Sequence, residues 1–395
     1  MISEKITENL KRASFIRAMF EEGLKLKKIY GPANVYDFTL GNPDPEPPEN
    51  VLATARRLLG CGNPGLHMYM SNAGFPDVRA NIASHINKAS GATLMPEHIV
   101  MSCGAAGGLN VVLKALLDPG DEVIVISPFF FEYAFYIDNH GGKCIICPAV
   151  KGSFQPDAEA IGKAVGDRTK AIIINSPNNP TGVVYTEEIL QKLNMVITEK
   201  EKEFGKEIYV ISDEPYNKIV YDNVEVPAVI NIFRHSIIVN SFSKSLSLPG
   251  ERIGYIAVNP AVENVDILIN ALVFCTRTLG YVNAPSLFQK VVSENLDSTV
   301  DIKLYSDRRD MLYEIITGCG FRCNKPAGAF YLFPESPLAD DIAFKDAALK
   351  YNILLVPGTG FSCPGYFRLA YCVNPDMIRN SRNAFKKLAA DFGLS

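Results

Sequence analysis

Between about residues 95 and 260, short apolar runs recur at intervals filled by stretches that read as helices. The runs are Glu122-Val123-Ile124-Val125-Ile126-Ser127, Ala171-Ile172-Ile173-Ile174-Asn175-Ser176, Ile208-Tyr209-Val210-Ile211-Ser212-Asp213, Ser236-Ile237-Ile238-Val239-Asn240 and Ile253 to Val258. They are apolar at consecutive positions, so both faces of each strand need cover. Buried, mostly parallel strands have this pattern, and the intervening helices supply the crossovers on both sides of the sheet. Ile99-Val100-Met101-Ser102 and the segment around Cys144-Ile145-Ile146-Cys147 read as further strands.

Outside this region the pattern changes. The chain begins with a helix at about 14–28 and then passes through the irregular Asp44-Pro45-Glu46-Pro47-Pro48. Beyond about 285 the spacing is helical at 286–294 and 301–318. Short strands follow around Phe330-Tyr331-Leu332-Phe333, Ile353-Leu354-Leu355-Val356 and Tyr366-Phe367-Arg368-Leu369-Ala370, before a last helix at about 375–392. The expected architecture is α/β: a large domain over 46–285, and a smaller α+β domain over 286–395 that the N-terminal segment 1–45 joins. No internal repeat or low-complexity segment interrupts it.

A length of 395 residues with 47% hydrophobic and 21% charged residues is ordinary for a globular protein of two domains. The net charge of −4 offers no basic field to a nucleic-acid backbone, and Lys25-Leu26-Lys27-Lys28 reads as the wet face of the first helix. No run approaches the ~20 apolar residues that span a bilayer, so no membrane partner is expected. Met1-Ile2-Ser3-Glu4-Lys5 does not begin a secretory leader. Nine cysteines are scattered from Cys61 to Cys372, and the lone Cys144-Ile145-Ile146-Cys147 lacks a second pair to complete a zinc site. This usage fits a reducing compartment, hence a cytoplasmic location, and no metal is expected.

Polar residues gather at the carboxyl ends of the strands: Ser127, Asn175, Asp213, Ser241 and Lys244. Ligands of open α/β sheets bind there. Lys244 closes Ser241-Phe242-Ser243-Lys244, and Arg252 follows in Arg252-Ile253-Gly254-Tyr255. Burial and a neighbouring cation depress a lysine pKa and make the amine able to condense with a carbonyl. Pyridoxal phosphate suits this group, its aldehyde meeting the lysine and its phosphate meeting the serines and arginine.

Other positions admit two readings each. Asn178-Asn179-Pro180-Thr181-Gly182 is a strand-to-helix turn, or it presents the Asn179 amide to a phenolate-like oxygen. Asp213 either caps a helix or pairs with a pyridinium nitrogen, with Tyr216 reaching the same ring oxygen as Asn179. Gly104-Ala105-Ala106-Gly107-Gly108 allows close helix packing, or lets backbone N–H groups approach a phosphate. Among Phe129-Phe130-Phe131 one ring can stack on a cofactor plane, and the rest read as core. Arg368, between apolar neighbours, joins an internal salt bridge or grips a substrate carboxylate.

With these residues assembled, the chain resembles a fold-type I, pyridoxal-phosphate-dependent aminotransferase of the class I/II family, similar to aspartate aminotransferase, from about Asp37 to the C-terminal helix. The motif Ser-x-Ser-Lys with its downstream arginine carries the resemblance, with Asn-Pro-Thr-Gly and Asp-x-x-Tyr upstream in the family's order. The resemblance implies a Schiff base on Lys244, Asp213 on the pyridine nitrogen, and Asn179 and Tyr216 on the ring hydroxyl. It implies a phosphate cradle from Ser241, Arg252 and the backbone at Gly104, Ala105 and Ala106, with Phe130 stacked on the ring. Arg368 would hold the substrate α-carboxylate, with Gly41 and Asn179 beside it. Tyr69 would reach the phosphate of a neighbouring subunit, so a homodimer with shared sites is implied. Position 105 is alanine where many relatives carry a hydroxyl, which shifts weight to the backbone, Ser241 and Arg252.

The activity implied is transfer of an amino group from an L-amino acid to a 2-oxo acid in two half-reactions. A carbon–sulfur lyase or a decarboxylase on the same fold would keep the cofactor residues. An aminotransferase-like sensing domain of a transcription regulator would need more than the forty or so residues that precede Leu40-Gly41-Asn42-Pro43. Arg277 falls where dicarboxylate-specific relatives carry a second substrate arginine, and it reads equally as a structural arginine in a loop.

Overall fold

The computed structural model describes residues 2–60 and 62–394, with the side chains of all of these but 11–21. After a short strand β1 (Tyr36–Asp37) come seven strands: β2 (Ile99–Ser102), β3 (Glu122–Ser127), β4 (Lys143–Pro148), β5 (Thr169–Asn175), β6 (Tyr209–Asp213), β7 (Ser236–Ser241) and β8 (Gly254–Val258). They form one sheet in the order β2-β8-β7-β6-β5-β3-β4. Strands β7, β6, β5, β3 and β4 run parallel, and β8 is antiparallel to both β2 and β7.

Consecutive apolar residues cover the two faces as expected. On β3, Val123 and Val125 enter one core with Ile173 and Ile211, while Ile124 and Ile126 enter another with Ile172 and Ile174. Strand β4 lies at the sheet edge, where Cys147 joins the second core and Cys144 packs against the first, on the opposite face. That geometry keeps the two thiols from sharing a ligand.

From β3 the chain moves outward to β4 and then returns past β3 to β5, after which the strands advance the other way. The strand order therefore reverses between β3 and β5, and a crevice opens at their carboxyl ends.

The remaining strands are β9 (Tyr331–Leu332), β10 (Ile353–Leu354), β11 (Val356–Pro357) and β12 (Phe367–Ala370). An antiparallel sheet has the order β11-β12-β9, and β1 pairs in parallel with β10. Helices Ile302–Gly318, Asp341–Leu349 and Pro375–Asp391 cover a core that includes Phe38, Tyr305, Phe330, Phe344 and Phe385. Tyr216, Ile219 and Tyr221, just after β6, are buried in this same core. Ala329 donates its N–H to the Ile219 carbonyl at 2.9 Å. This seam holds β12, and Arg368 with it, over the strand ends of the large sheet.

The first helix spans Glu4–Tyr30 rather than starting near 14. Its opening turns are exposed and carry no apolar stripe, so hydrophobic spacing misses them. Lys5 there pairs with Asp138 at 3.0 Å. Among the described residues no helix is long and apolar enough to cross a membrane.

Candidate active site

A cavity of about 290 Å³ opens at the carboxyl ends of β3, β5, β6 and β7. Gly41, Tyr331 and Arg368 line it from the other side.

Lys244 stands on the short helix Phe242–Ser245 that directly follows β7. Its Nζ donates to the Gly41 carbonyl at 2.6 Å and lies 5.5 Å from the Phe330 ring centre. Burial pushes its pKa down to about 8; the guanidinium groups of Arg368 and Arg252 add to this and Cys372 opposes it. About a tenth of such an amine is unprotonated at pH 7, against less than about one part in 10³ for an ordinary lysine. Gly41 is required at its position, because a Cβ there would lie 2.0 Å from the Tyr331 hydroxyl.

Asp213 ends β6 in the cavity wall. Tyr133 donates its hydroxyl to Oδ2 at 2.5 Å, while Oδ1 is buried without a partner among the described residues. Desolvation raises the carboxyl pKa to about 7, against the lowering effect of Tyr133. A carboxylate held in this way, with one oxygen unsatisfied, is poised to accept from an N–H in the cavity.

One β5 side chain links this acid to the turn that follows. Asn175 donates through Nδ2 to the Asp213 carbonyl and accepts the Asn179 N–H through Oδ1, each at 2.8 Å. Arg368 donates to Asn179 Oδ1 at 2.9 Å. Because a guanidinium only donates, this bond sets the amide orientation and leaves the Nδ2 hydrogens for another acceptor. Tyr216 shares a hydrogen bond of 2.9 Å with Tyr331, hydroxyl to hydroxyl.

Arg368 is buried on β12 between the rings of Tyr331 and Phe361, at 4.6 and 4.8 Å. Its second amino group donates to the Thr39 carbonyl at 2.5 Å, and Nε has no partner among the described residues. No ion pair engages it among the described residues, so the internal salt bridge that its sequence context allowed is not formed. A buried guanidinium bonded only to neutral acceptors favours an incoming anion.

On the far side, Ala105, Ala106, Ser241, Ser243 and Arg252 line the cavity. Gly104 opens the helix Gly104–Leu116 with φ +70°, and a Cβ on it would stand 2.7 Å from the Arg252 guanidinium. A Cβ on Gly254 would lie 2.4 Å from the Asn240 carbonyl and 3.1 Å from Gly104. Glycine at both positions lets a helix N-terminus, a hydroxyl-bearing strand end and an arginine converge. Helix N-termini of this kind hold phosphates.

Phe130 lines the cavity and meets Tyr133 edge-on at 5.6 Å. Tyr69 lies outside it, 90% exposed. Arg277 is exposed in the last turn of the helix Val265–Thr278, over Phe274 at 5.5 Å, rather than in a loop, and it does not line the cavity. Sequence reasoning left out Tyr133, Tyr331 and the bridging role of Asn175, the last of which stood within the strand-end cluster already in view. Tyrosines among apolar neighbours carry no signal that separates them from core.

Sheet order and site chemistry together place the protein in the fold-type I class of pyridoxal-phosphate-dependent enzymes. Residues 33–385 match the family model of aminotransferase class I and II, and the chain belongs to that family. It is 33% identical over 350 residues to an aspartate aminotransferase of Thermotoga maritima, covering 87% of this chain and 89% of the relative. To an aspartate/prephenate aminotransferase of Thermus thermophilus it is 31% identical over 356 residues, covering 89% and 90%. A solved amino transferase from Eubacterium rectale superposes with a TM-score of 0.96 at 40% identity, covering 99% of both chains. The Thermus thermophilus aspartate aminotransferase with maleate gives 0.85 at 28% identity, covering 96% and 98%. The protein is accordingly a transaminase of a pyridoxal-phosphate-dependent family.

Proposed function

We propose that the protein moves the amino group of an L-amino acid to a 2-oxo acid with pyridoxal phosphate bound covalently through Lys244. The observation that carries this reading is Arg368, a buried guanidinium without an ion pair among the described residues, in the same cavity as a lysine of pKa about 8.

The residues present fit the cofactor. Asp213 Oδ1 lacks a donor that a protonated ring nitrogen would supply. The cradle at residues 104–106, Ser241, Ser243 and Arg252 suits a phosphate, and Phe130 supplies an aromatic wall. When bound, the cofactor supplies an aldehyde that condenses with amines and a ring that takes up the electron pair released at the substrate Cα. Arg368 fixes the substrate carboxylate and thereby aims its Cα–H bond at Lys244. Lys244 Nζ, whose proton burial makes easier to lose, would take the Cα proton and return one in the reverse half-reaction. Asp213 would hold the ring nitrogen protonated, and Asn179 Nδ2 and Tyr216 would serve the ring oxygen.

Attachment of pyridoxal phosphate to Lys244 is expected to quicken about tenfold per pH unit up to roughly pH 8 and to level off above it. Stopped-flow absorbance of the cofactor-free protein measures this, and a rate still climbing at pH 10 would mean an ordinary exposed lysine.

Because the relatives are named for aspartate, aspartate with 2-oxoglutarate is the first pair to assay, ahead of a twenty-amino-acid screen. Consumption of 2-oxoglutarate in step with the amino donor is expected; a lyase would consume none. Arg368→Lys should raise KM for both amino acid and oxo acid on the order of 10²-fold, because an ammonium cannot reproduce the two-pronged grip. Unchanged KM values would remove Arg368 from the substrate site. A homodimer is part of the proposal, with Tyr69 directed at the neighbour's phosphate. Its exposure is consistent with a contact supplied by a second copy. Sedimentation giving only monomer would refute this part.

A further inference from the structure

A second cavity, of about 190 Å³, lies directly behind the active-site wall. The two share a backbone whose residues face alternately one way and the other. Asp213 and Tyr216 line the first cavity, Glu214 and Lys218 the second. Ser241 and Lys244 line the first, Asn240, Phe242 and Ser245 the second. The turn that carries Lys244 is thus the partition between them.

Its chemistry is mixed in a specific way. Ser212 donates to Glu214 Oε1 at 2.7 Å, and burial together with the adjacent Asp213 raises the Glu214 carboxyl pKa to about 7. Lys218 donates through Nζ to the Leu296 carbonyl, and burial lowers its pKa. Among the described residues, no ion pair joins Glu214 to Lys218 or engages either with another side chain. Ile82, Ile86, Ile230 and Ile238 line the same space with apolar surface. A partly ionised carboxyl and an ammonium, neither in an ion pair among the described residues, are costly in one part-enclosed space unless a ligand satisfies both. The volume corresponds to about six water molecules at ~30 Å³ each, enough for one small organic molecule.

We propose that this cavity is a regulatory site for a small apolar α-amino acid, with its ammonium on Glu214, its carboxylate on Lys218 and its side chain against the isoleucines. An α-amino acid offers no aldehyde or ketone that could condense with Lys218, so binding there is reversible and non-covalent. Occupancy presses on the backbone that positions Asp213 and Lys244, which gives a short physical route to the chemistry.

The probe is N,N-dimethyl-L-leucine added to the holoenzyme. As a tertiary amine it cannot form a Schiff base, so it cannot enter the amino-transfer cycle. Hydrogen–deuterium exchange should show protection of residues 82–90 and 226–230, segments that contribute nothing to the Lys244 cavity. The lysine-linked absorbance should shift over the same concentration range. Ile230→Trp, which fills the space, should abolish the protection, and Glu214→Gln should weaken it about tenfold. Ile86→Phe serves as the second filling variant should Ile230→Trp fail to fold. Protection confined to the Lys244 cavity, or persisting in a folded filling variant, would overturn the site. Protection without an absorbance shift would overturn its coupling to Lys244. Because exchange is read without turnover, failure here is distinguishable from failure of the proposed transamination.

Discussion

Lys244→Ala is expected to lose the lysine-linked visible absorbance and to cut amino transfer by at least ~10³-fold, because one amine acts both as the attachment point and as the base. Its folding should survive. A lysine whose pKa is held near 8 in the folded chain, below its ordinary 10.5, opposes folding wherever the unfolded chain would keep it charged. That cost is fully present below about pH 8 and fades as pH rises toward 10.5. Removing the side chain therefore relieves on the order of 3 kcal/mol at pH 7, offset in part by the space left behind. Absorbance and turnover should vanish while the urea midpoint of the cofactor-free variant stays level or rises. A variant that is inactive because it unfolds, or that keeps the band, would overturn the assignment of this residue.

Asp213→Asn should be the next largest loss, on the order of 10³-fold in kcat. The amide keeps an acceptor for Tyr133 but offers no charge to hold a proton on the ring nitrogen, so the electron sink weakens at the step that needs it. Stability gives an independent readout. In the cofactor-free protein the Asp213 pKa is about 7, above its ordinary 3.8, so between those values the folded state retains a proton that the unfolded state has lost. The sign follows: this group contributes nothing below about pH 4 and destabilises increasingly up to pH 7, by on the order of 4 kcal/mol. Urea unfolding at pH 5 and 8 should show that decline in the wild type and a smaller one in Asp213→Asn, where only the Glu214 contribution remains. Cofactor should also reduce the decline, by pairing a cation with Oδ1. An identical pH slope in both proteins would mean that Asp213 is not the buried neutral acid described.

Much of the site was legible because the chemistry sits where strands end. Asp213, Ser241 and Lys244 each come at the end of a mainly apolar run, so their positions at the strand ends could be read without knowing the strand order. Asn179 was visible as a turn residue with a spare amide. Its anchoring was not, because Arg368 comes from β12, nearly two hundred residues on, and Asn175, only four residues before it, acts by folding its side chain back over the turn. Tyr133 and Tyr331 were invisible for a different reason. Their rings are buried like core aromatics, and only a hydroxyl placed by tertiary packing, on Asp213 in one case and Tyr216 in the other, distinguishes them. The opening turns of the first helix were missed because polar helices are held by propensity and exposed ion pairs, which leave no periodic mark.

The amino-acid order alone therefore determined the α/β class, the gathering of polar residues at the strand ends and the place of Lys244 among them. These are consequences of local pattern: two-sided burial demands a covered sheet, and polar residues are tolerated only where its strands stop. Tertiary structure decided what each of those residues meets. Among the described residues it left one oxygen of Asp213 unsatisfied, brought Arg368 over the crevice without an acid to pair with it, and placed Glu214 and Lys218 without an ion pair behind the partition that carries Lys244. Burial and the lack of a partner are properties of the folded chain, because they depend on residues far apart in sequence arriving, or failing to arrive, at one place.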